Sequence, residues 1–284
     1  MYIFSYDKII KYGKWRYEMK KKKIVLIICI ILITIQMFMT FIIKIDVEKY
    51  TIKDKKIPEE FNNFKIVQLS DFHSKGYRNT TEKIISKIKR INPDIIVMTG
   101  DMVSYDMTGT EEFEKLVKEL SEIYPIYYID GNHEHLAEKL IPGEYLYFME
   151  FLRELGVITI KNDYVEIYKG NESINLYGVN IPLDWPSGVY VNKLQLERDY
   201  VEKTLPEADA DKFNILLAHN PIFIKQYSKW GADLVLAGHM HGGIVRIPFT
   251  NIGLLSPERE IFPRYAAGKF KVNGSIMIVN RGIG

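Results

Sequence analysis

The sequence predicts an α/β fold built on parallel strands, and three observations carry that reading. From Phe64 onward, short apolar runs alternate with segments of helical spacing. Most of the longer apolar runs stop on Asp, Asn or His, or on a Gly just before one. In parallel α/β folds ligands collect at the carboxyl ends of strands, so the chemistry falls where the fold would place it.

In chain order, Ile66-Val67-Gln68-Leu69-Ser70 is a short strand ending on Asp71-Phe72-His73. Thr80 to Ile91 has helical spacing at Ile84, Ile85, Ile88 and Ile91. Asp94 to Thr99 is a buried strand ending on Gly100-Asp101. Glu111 to Ile123 is helical, with Phe113, Leu116, Val117 and Leu120 on one face. Ile126 to Ile129 is a strand ending at Gly131-Asn132-His133, and Glu144 to Leu155 is helical again. In the second half, Tyr164–Tyr168 and Ile174–Val179 are strands joined by a Lys169-Gly170-Asn171 turn. Asn192 to Leu205 is helical. Phe213–Ala218 ends on His219, and Asp233–Ala237 ends on Gly238-His239. Ile244–Ile247, Ala266–Val272 and Ser275–Val279 complete a second set of strands.

The first 63 residues differ from this domain. Residues 1–23 carry eight Lys or Arg against Asp7 and Glu18, a net of +6. The chain as a whole carries +2 and residues 24–43 are uncharged, so the remainder carries −4. Those twenty uncharged, mostly apolar residues suffice to span the ~30 Å core of a bilayer as a helix. A cleaved signal peptide is the competitor, but its apolar region ends in small residues, whereas this one ends in Phe41, Ile42 and Ile43. Eight basic residues before the span against five after it, through Asn63, predict a cytoplasmic N-terminus and a following domain outside the cytoplasm, at the cell membrane. Residues 44–63 are charged and are expected to form a stalk ahead of a domain over 64–284. The one cysteine, Cys29, allows no disulfide within the domain.

All six histidines fall in the short motifs: His73, His133, His135, His219, His239 and His241. Asp71, Asp101 and Asn132 taken singly are compatible with turn or cap roles at strand ends. Together with the histidines they make a set of oxygen and imidazole donors without thiolate, which suits Mn²⁺, Fe or Zn²⁺ in a catalytic site. His135 lies beyond its motif and reads as a solvated loop residue. Arg246 suits a phosphate contact and a strand ion pair equally well. Tyr145-Leu146-Tyr147-Phe148 reads as core.

The order Asp71-Phe72-His73, Gly100-Asp101, Gly131-Asn132-His133-Glu134, His219, Gly238-His239-Met240-His241 resembles the calcineurin-like metallophosphoesterase superfamily. The run Gly238 to Pro248, with its Gly238-His239-Met240-His241-Gly242-Gly243 core, looks like a bacterial membrane-associated branch of it. That branch includes membrane-tethered phosphoesterases and a pyrophosphatase acting on a diacylglucosamine nucleotide. The resemblance implies a two-sheet αββα sandwich preceded here by one N-terminal transmembrane helix. It implies two divalent metal ions, one held by Asp71, His73 and His241, the other by Asn132, His219 and His239, with Asp101 bridging. It implies that His133 is no ligand but stabilises the phosphoryl transition state or protonates the leaving oxygen.

Three departures from the family pattern stand out. Ser104 takes the place of an Asp that orients the catalytic histidine in many members, leaving Asp106 or Glu134 to substitute. Ile244 replaces a Gln. The chain stops at Gly284, where relatives continue into one or two more strands, so the domain is expected to lack its last strands.

The function expected is a membrane-anchored, binuclear, metal-dependent phosphoric ester hydrolase acting on a phosphodiester, phosphomonoester or pyrophosphate, with lipid-linked and cell-envelope phosphoesters among the candidate substrates. Two rivals differ in class. A degenerate binding or scaffold protein of the same fold would have lost ligands, and none is missing here. A nuclease would need a basic footprint, which a domain at −4 lacks.

Overall fold

The computed structural model describes residues 6–41, 45–73, 80–181, 196–246, 250, 253–257 and 259–283. The chain divides into two compact units, Met1–Asp46 and Val47–Gly284. The first holds a single 36-residue helix, α1 (Tyr6–Phe41). Its apolar side chains from Ile24 to Ile28, with Ile30 and Ile31, are exposed. Residues 42–43 of the span expected from sequence lie outside the described residues. Among the described residues no helix is long and apolar enough to cross a membrane.

The second unit follows the alternation seen in the sequence. Its elements are β1 (Ile66–Leu69), α2 (Thr80–Ile91), β2 (Ile95–Thr99), α3 (Glu111–Ser121), β3 (Ile126–Ile129), α4 (Asn132–Leu140), α5 (Pro142–Glu154) and β4 (Ile158–Thr159). There follow β5 (Asp163–Lys169), β6 (Glu172–Val179), α6 (Tyr200–Thr204), β7 (Asn214–Ala218), α7 (Ile224–Trp230), β8 (Leu234–Ala237), β9 (Val245–Arg246), β10 (Gly253–Leu255), β11 (Gly268–Val272) and β12 (Ser275–Val279).

Two sheets carry the core. One has four parallel strands in the order β1-β2-β3-β4. The other has six, β11-β12-β8-β7-β6-β5, parallel inside with an antiparallel pair at each edge. Ile95, Val97, Tyr127 and Ile129 of the first sheet meet Leu176, Ile215, Leu217, Leu236 and Ile278 of the second in one buried cluster. Side chains alternate faces along a strand, so the other face of the six-stranded sheet presents Tyr177, Leu216 and Val235. These pack against Val201 of α6 and against Ile224, Tyr227 and Trp230 of α7. The buried stripe of α3 is the one expected from its spacing, and that of α2 holds Ile84, Ile85 and Ile88, with Ile91 only half-buried. The architecture is the two-sheet sandwich with helices outside. Both sheets point the carboxyl ends of their parallel strands to one edge, where the motifs lie.

Several sequence expectations need correction. Asn192–Leu205 does not form one helix: residues 192–195 lie outside the described residues, and the helix present is α6 alone. It stops ahead of Pro206, with Leu205 already extended, because a residue preceding proline is pushed out of the helical region. Residues 132–140, to which the sequence reading assigned no element, form α4. Its signal was present in Gly131-Asn132-His133-Glu134, since a Glu three positions into a helix reaches back to the cap amide. His135 is therefore not a solvated loop residue; it sits on α4 with its imidazole mostly buried. The short helix α7 and the hairpin strand β10 lacked any distinctive pattern.

Residues 47–63 also differ from a free stalk. Phe61 enters the core between the sheets, with Ile52 and Ile57 packed beside it. Lys56 pairs with Asp233 at 3.1 Å, and Arg281 Nε lies 3.1 Å from Glu48. The apolar residues of the segment are what hold it to the domain. Phe61→Ala is expected to lower domain stability by about 3–5 kcal/mol, the usual range for a buried Phe. Urea unfolding followed by circular dichroism measures it, and an unchanged midpoint would return this segment to the status of a stalk.

Candidate metal centre

The motif residues converge at the strand ends because the backbone there turns sharply. Asp71, His73, Asp101, His239 and His241 all have φ between 50° and 68°, and Gly100 has φ 87°. Non-glycine residues rarely adopt this left-handed region, and such strain concentrates at functional sites. The turns are cross-tied. Asp71 N–H donates to Gly100 O at 3.0 Å and His73 N–H to Asp101 O at 3.0 Å. His239 N–H lies 3.0 Å from both Asp71 carboxylate oxygens. Gly238 permits this approach: a Cβ there would lie 1.9 Å from Ser70 Oγ and 2.4 Å from Asp71 Oδ2.

Three overlapping groups of donors result. Asp71, His73 and His241 form one; Asp101, His219 and His239 form another; His73, Asp101 and His133 form a third, each with donor atoms within 4.8 Å of one another. Asp101 belongs to two of them. His73 Nε2 and His241 Nε2 are 3.4 Å apart, and His241 Nε2 is 3.5 Å from Asp71 Oδ1. On the other side His219 Nε2 lies 3.0 Å from Asn132 Oδ1 and 3.3 Å from Asp101 Oδ2. The Nδ1 of His219 is 2.7 Å from Thr99 O, so it donates there and leaves Nε2 to face the centre. All seven residues expected from the sequence are thus brought together.

Electrostatics fits a cation. Burial holds the His73 imidazole down to about 4, against the pull of Asp101, and burial likewise lowers His241. Burial thus favours the uncharged form of both rings, the form that can bind a metal. Burial also opposes the charged form of His219, but the Asp101 carboxylate outweighs it and raises the ring to about 10. Asp101 is held below the usual carboxylate range: burial opposes this, and His219 overcomes it. The Nε2 atoms of His73 and His241, 3.4 Å apart beside a carboxylate, are placed to face one ion, and a buried carboxylate shared by two groups suits a pair of cations.

Glu134 was not foreseen in its actual role. Fully buried, its carboxylate accepts from the N–H groups of Asp101, Met102, Val103 and Gly131 at 2.8–3.2 Å. It does not orient His133, and Asp106 accepts from Thr108 in its own turn. Ser104 Oγ donates to His73 O at 3.2 Å. The contact on the His133 imidazole is Tyr105 N–H, 3.2 Å from Nδ1, while His133 N–H donates to Asp101 Oδ1 at 2.8 Å. Beside the centre, exposed Ile244, Val245, Ile261 and Phe262 share one small lobe, joined by Ile244 N–H to Leu255 O and Phe262 N–H to Leu254 O.

A two-sheet sandwich with carboxylates, an asparagine and histidines gathered at its strand ends defines a metal-dependent hydrolase. Residues 64–243 match the calcineurin-like phosphoesterase family. An uncharacterized metallophosphoesterase of Aquifex aeolicus is 30% identical over 244 residues, covering 84% of this chain and 84% of its own. The metallophosphoesterase YkuE of Bacillus subtilis is 28% identical over 248 residues, covering 84% and 79%. The phosphodiesterase YaeI of Escherichia coli is 26% identical over 226 residues, covering 78% and 75%. The chain belongs to the calcineurin-like phosphoesterase family, and it is a hydrolase of a family that uses divalent metals.

Glu134→Gln replaces an acceptor of four amides with a group that presents its own donors to them. The loss expected is about 3 kcal/mol or more of stability, read by urea unfolding, together with weaker metal retention after dialysis.

Proposed function

We propose that the protein is a membrane-anchored, binuclear metal phosphoesterase that cleaves a phosphodiester or pyrophosphate bond in an amphiphilic, lipid-linked substrate. The observation that carries the binuclear reading is Asp101, buried and shared between two donor groups. Asp71, His73 and His241 would hold one ion and Asn132, His219 and His239 the other, with Asp101 between them; the donors suit Mn²⁺, Fe or Zn²⁺. When bound, two such ions supply Lewis acidity toward the phosphoryl oxygens and a nucleophile drawn from water.

The chain's own residues do the rest. His219, anchored through Nδ1 on Thr99 O, keeps a fixed ring orientation. The amide of His133 on Asp101 holds its imidazole next to the bridging carboxylate. There it meets the transferred phosphoryl group as charge develops. The diester reading draws support from the relative named as a phosphodiesterase. The amphiphilic reading draws it from the exposed apolar lobe that begins three residues after His241.

The assay is hydrolysis of a p-nitrophenyl phosphodiester with added Mn²⁺. His133→Ala is expected to lower turnover by roughly 10²–10⁴-fold while metal content stays near wild type. Asp101→Ala is expected to lose metal. Wild-type inactivity with full metal loading would favour a binding or scaffold role.

Membrane anchoring rests on the uncharged run 24–43 and on the charge bias that flanks it. With the domain outside the cytoplasm, protease added to intact cells removes it and leaves a short membrane fragment. Full protection until lysis would place the domain inside.

A further inference from the structure

Residues 47–65 join the rest of the domain at the edge that carries the metal centre. Arg281 follows β12, and its Nε lies 3.1 Å from a Glu48 carboxylate oxygen. Gly282, the next residue, packs on the centre itself: a Cβ there would lie 2.9 Å from Asp71 Cβ and 3.3 Å from His241 Nδ1. Ile283 N–H donates to Asp71 O at 3.3 Å. From Glu48 the chain runs away from that edge. Thr51 O accepts from Lys269 Nζ at 3.1 Å, and Lys269 is paired with Ile278 near the carboxyl end of β12. Lys56 then meets Asp233, the residue before β8. Lys65 N–H donates at 2.7 Å to Asp94, the residue before β2. The segment therefore descends from the carboxyl ends of the strands to their amino ends. Its upper end lies next to the turn that packs on Asp71 and His241.

The same edge carries exposed apolar side chains. Val47 and Tyr50 flank Glu48, and Ile244, Val245, Ile261 and Phe262 form the lobe that follows His241. Phe262 has φ 55°, a left-handed conformation that bulky residues rarely adopt, so its exposed ring is held out against the preference of its own backbone. Arg259 and Arg264, both exposed, stand on either side of Ile261 and Phe262 in sequence, with Glu260 the one acid among them. The uncharged run ends at Ile43, five residues before Glu48. Extended chain covers at most about 3.6 Å per residue, so those residues reach no further than about 18 Å. We propose that the rim carrying the metal centre faces the bilayer, with Ile244, Val245, Ile261 and Phe262 seated in the lipid interface, so that the centre meets its phosphoester at head-group depth. The proposal rests on the anchored reading above. The short tether selects the edge, and the lobe supplies the contact. Apolar side chains of this kind enter the boundary between head groups and acyl chains by about 5–10 Å, and the arginines beside them suit anionic lipid. A lipid phosphoester then reaches the metals with its acyl chains still in the membrane.

The test uses the full-length protein in a Cys29→Ser background, reconstituted into vesicles of phosphatidylcholine and phosphatidylglycerol. A fraction of the lipid carries a nitroxide near the head groups. A fluorescent label is placed on Phe262→Cys or, at the opposite edge, on Asp211→Cys in the exposed turn before β7. Flotation of the vesicles reads the anchor by itself. Quenching by the nitroxide lipid is expected to be several-fold stronger for the Phe262→Cys label than for the Asp211→Cys label. Ile244→Asp with Ile261→Asp is expected to bring the Phe262→Cys quenching down towards the Asp211→Cys level, with flotation and circular dichroism unchanged. Floating protein with equal quenching at the two labels, or stronger quenching at Asp211→Cys, overturns the docking and leaves the anchor standing. Quenching that survives both aspartates means that the tether alone holds the rim there, and it overturns the part given to the lobe. A Phe262→Cys label shielded from aqueous iodide yet untouched by the lipid, on protein that crosslinks as a dimer, gives the face to a second copy of the chain and overturns the docking. Protein that fails to float overturns anchor and docking together. None of these readouts depends on turnover, so inactivity toward phosphodiesters counts against the hydrolytic reading alone.

Discussion

The buried carboxylate of Glu134 is the interaction on which the rest of the centre depends. Burial and the nearby Asp101 charge both push its pKa up, so an ionised carboxylate at this point needs strong compensation. Four backbone amides provide it. Three come from the turn after β2 and one from the turn after β3. A single side chain thus locks together the two turns that carry Asp101, Asn132 and His133. The lock is tight enough that Gly131 admits no side chain, since a Cβ there would lie 2.3 Å from Asp101 Oδ1.

Left-handed backbone at five of the donor-bearing positions costs on the order of 1–3 kcal/mol each, offset only in part by the hydrogen bonds between the turns. The remaining compensation lies in the layer beneath. Strands β2, β3, β7 and β8 are buried along their whole length. Their parallel registers fix where each chain ends relative to its neighbours. The apolar core between the sheets therefore pays for the geometry of a polar site at its rim. The donors are also mutually restraining: Asp71 receives the His239 amide, and Asp101 receives that of His133. A shift in one turn is felt in the next.

Much of this was legible in the sequence because two periodicities and a set of donors coincided. β1, β2, β3, β7, β8 and β12 follow from short apolar runs, and α2 and α3 from Ile84/Ile85/Ile88 and Phe113/Leu116/Val117/Leu120. The clustering of donors was legible because the motifs stood at or just past the ends of such runs; which seven of them would hold metal came from the family resemblance. What escaped was set by tertiary contact. Residues 47–63 look polar, and only the pocket between the sheets shows that Ile52, Ile57 and Phe61 belong to it. Helix α4 hid inside a motif read for its chemistry, although Glu134 signalled a helix start. The partner of His133 could not be found by searching for a carboxylate, because it is a backbone amide, and amides leave no mark in a sequence.

The contact between the His239 amide and the Asp71 carboxylate spans 168 residues. During synthesis at roughly 5–20 residues per second, Asp71 is made many seconds before its partner exists. β1, β2 and β3 can pair early, yet the pocket for Asp71 is closed by the turn after β8, from the far end of the chain. A nascent chain therefore carries a half-built cradle of carboxylate and imidazole, with Asp71, His73 and Asp101 present and His219, His239 and His241 still to come. Any cation it captures in that interval is held by an incomplete set of donors, so the choice of metal belongs to the finished protein and not to the order in which its ligands are made.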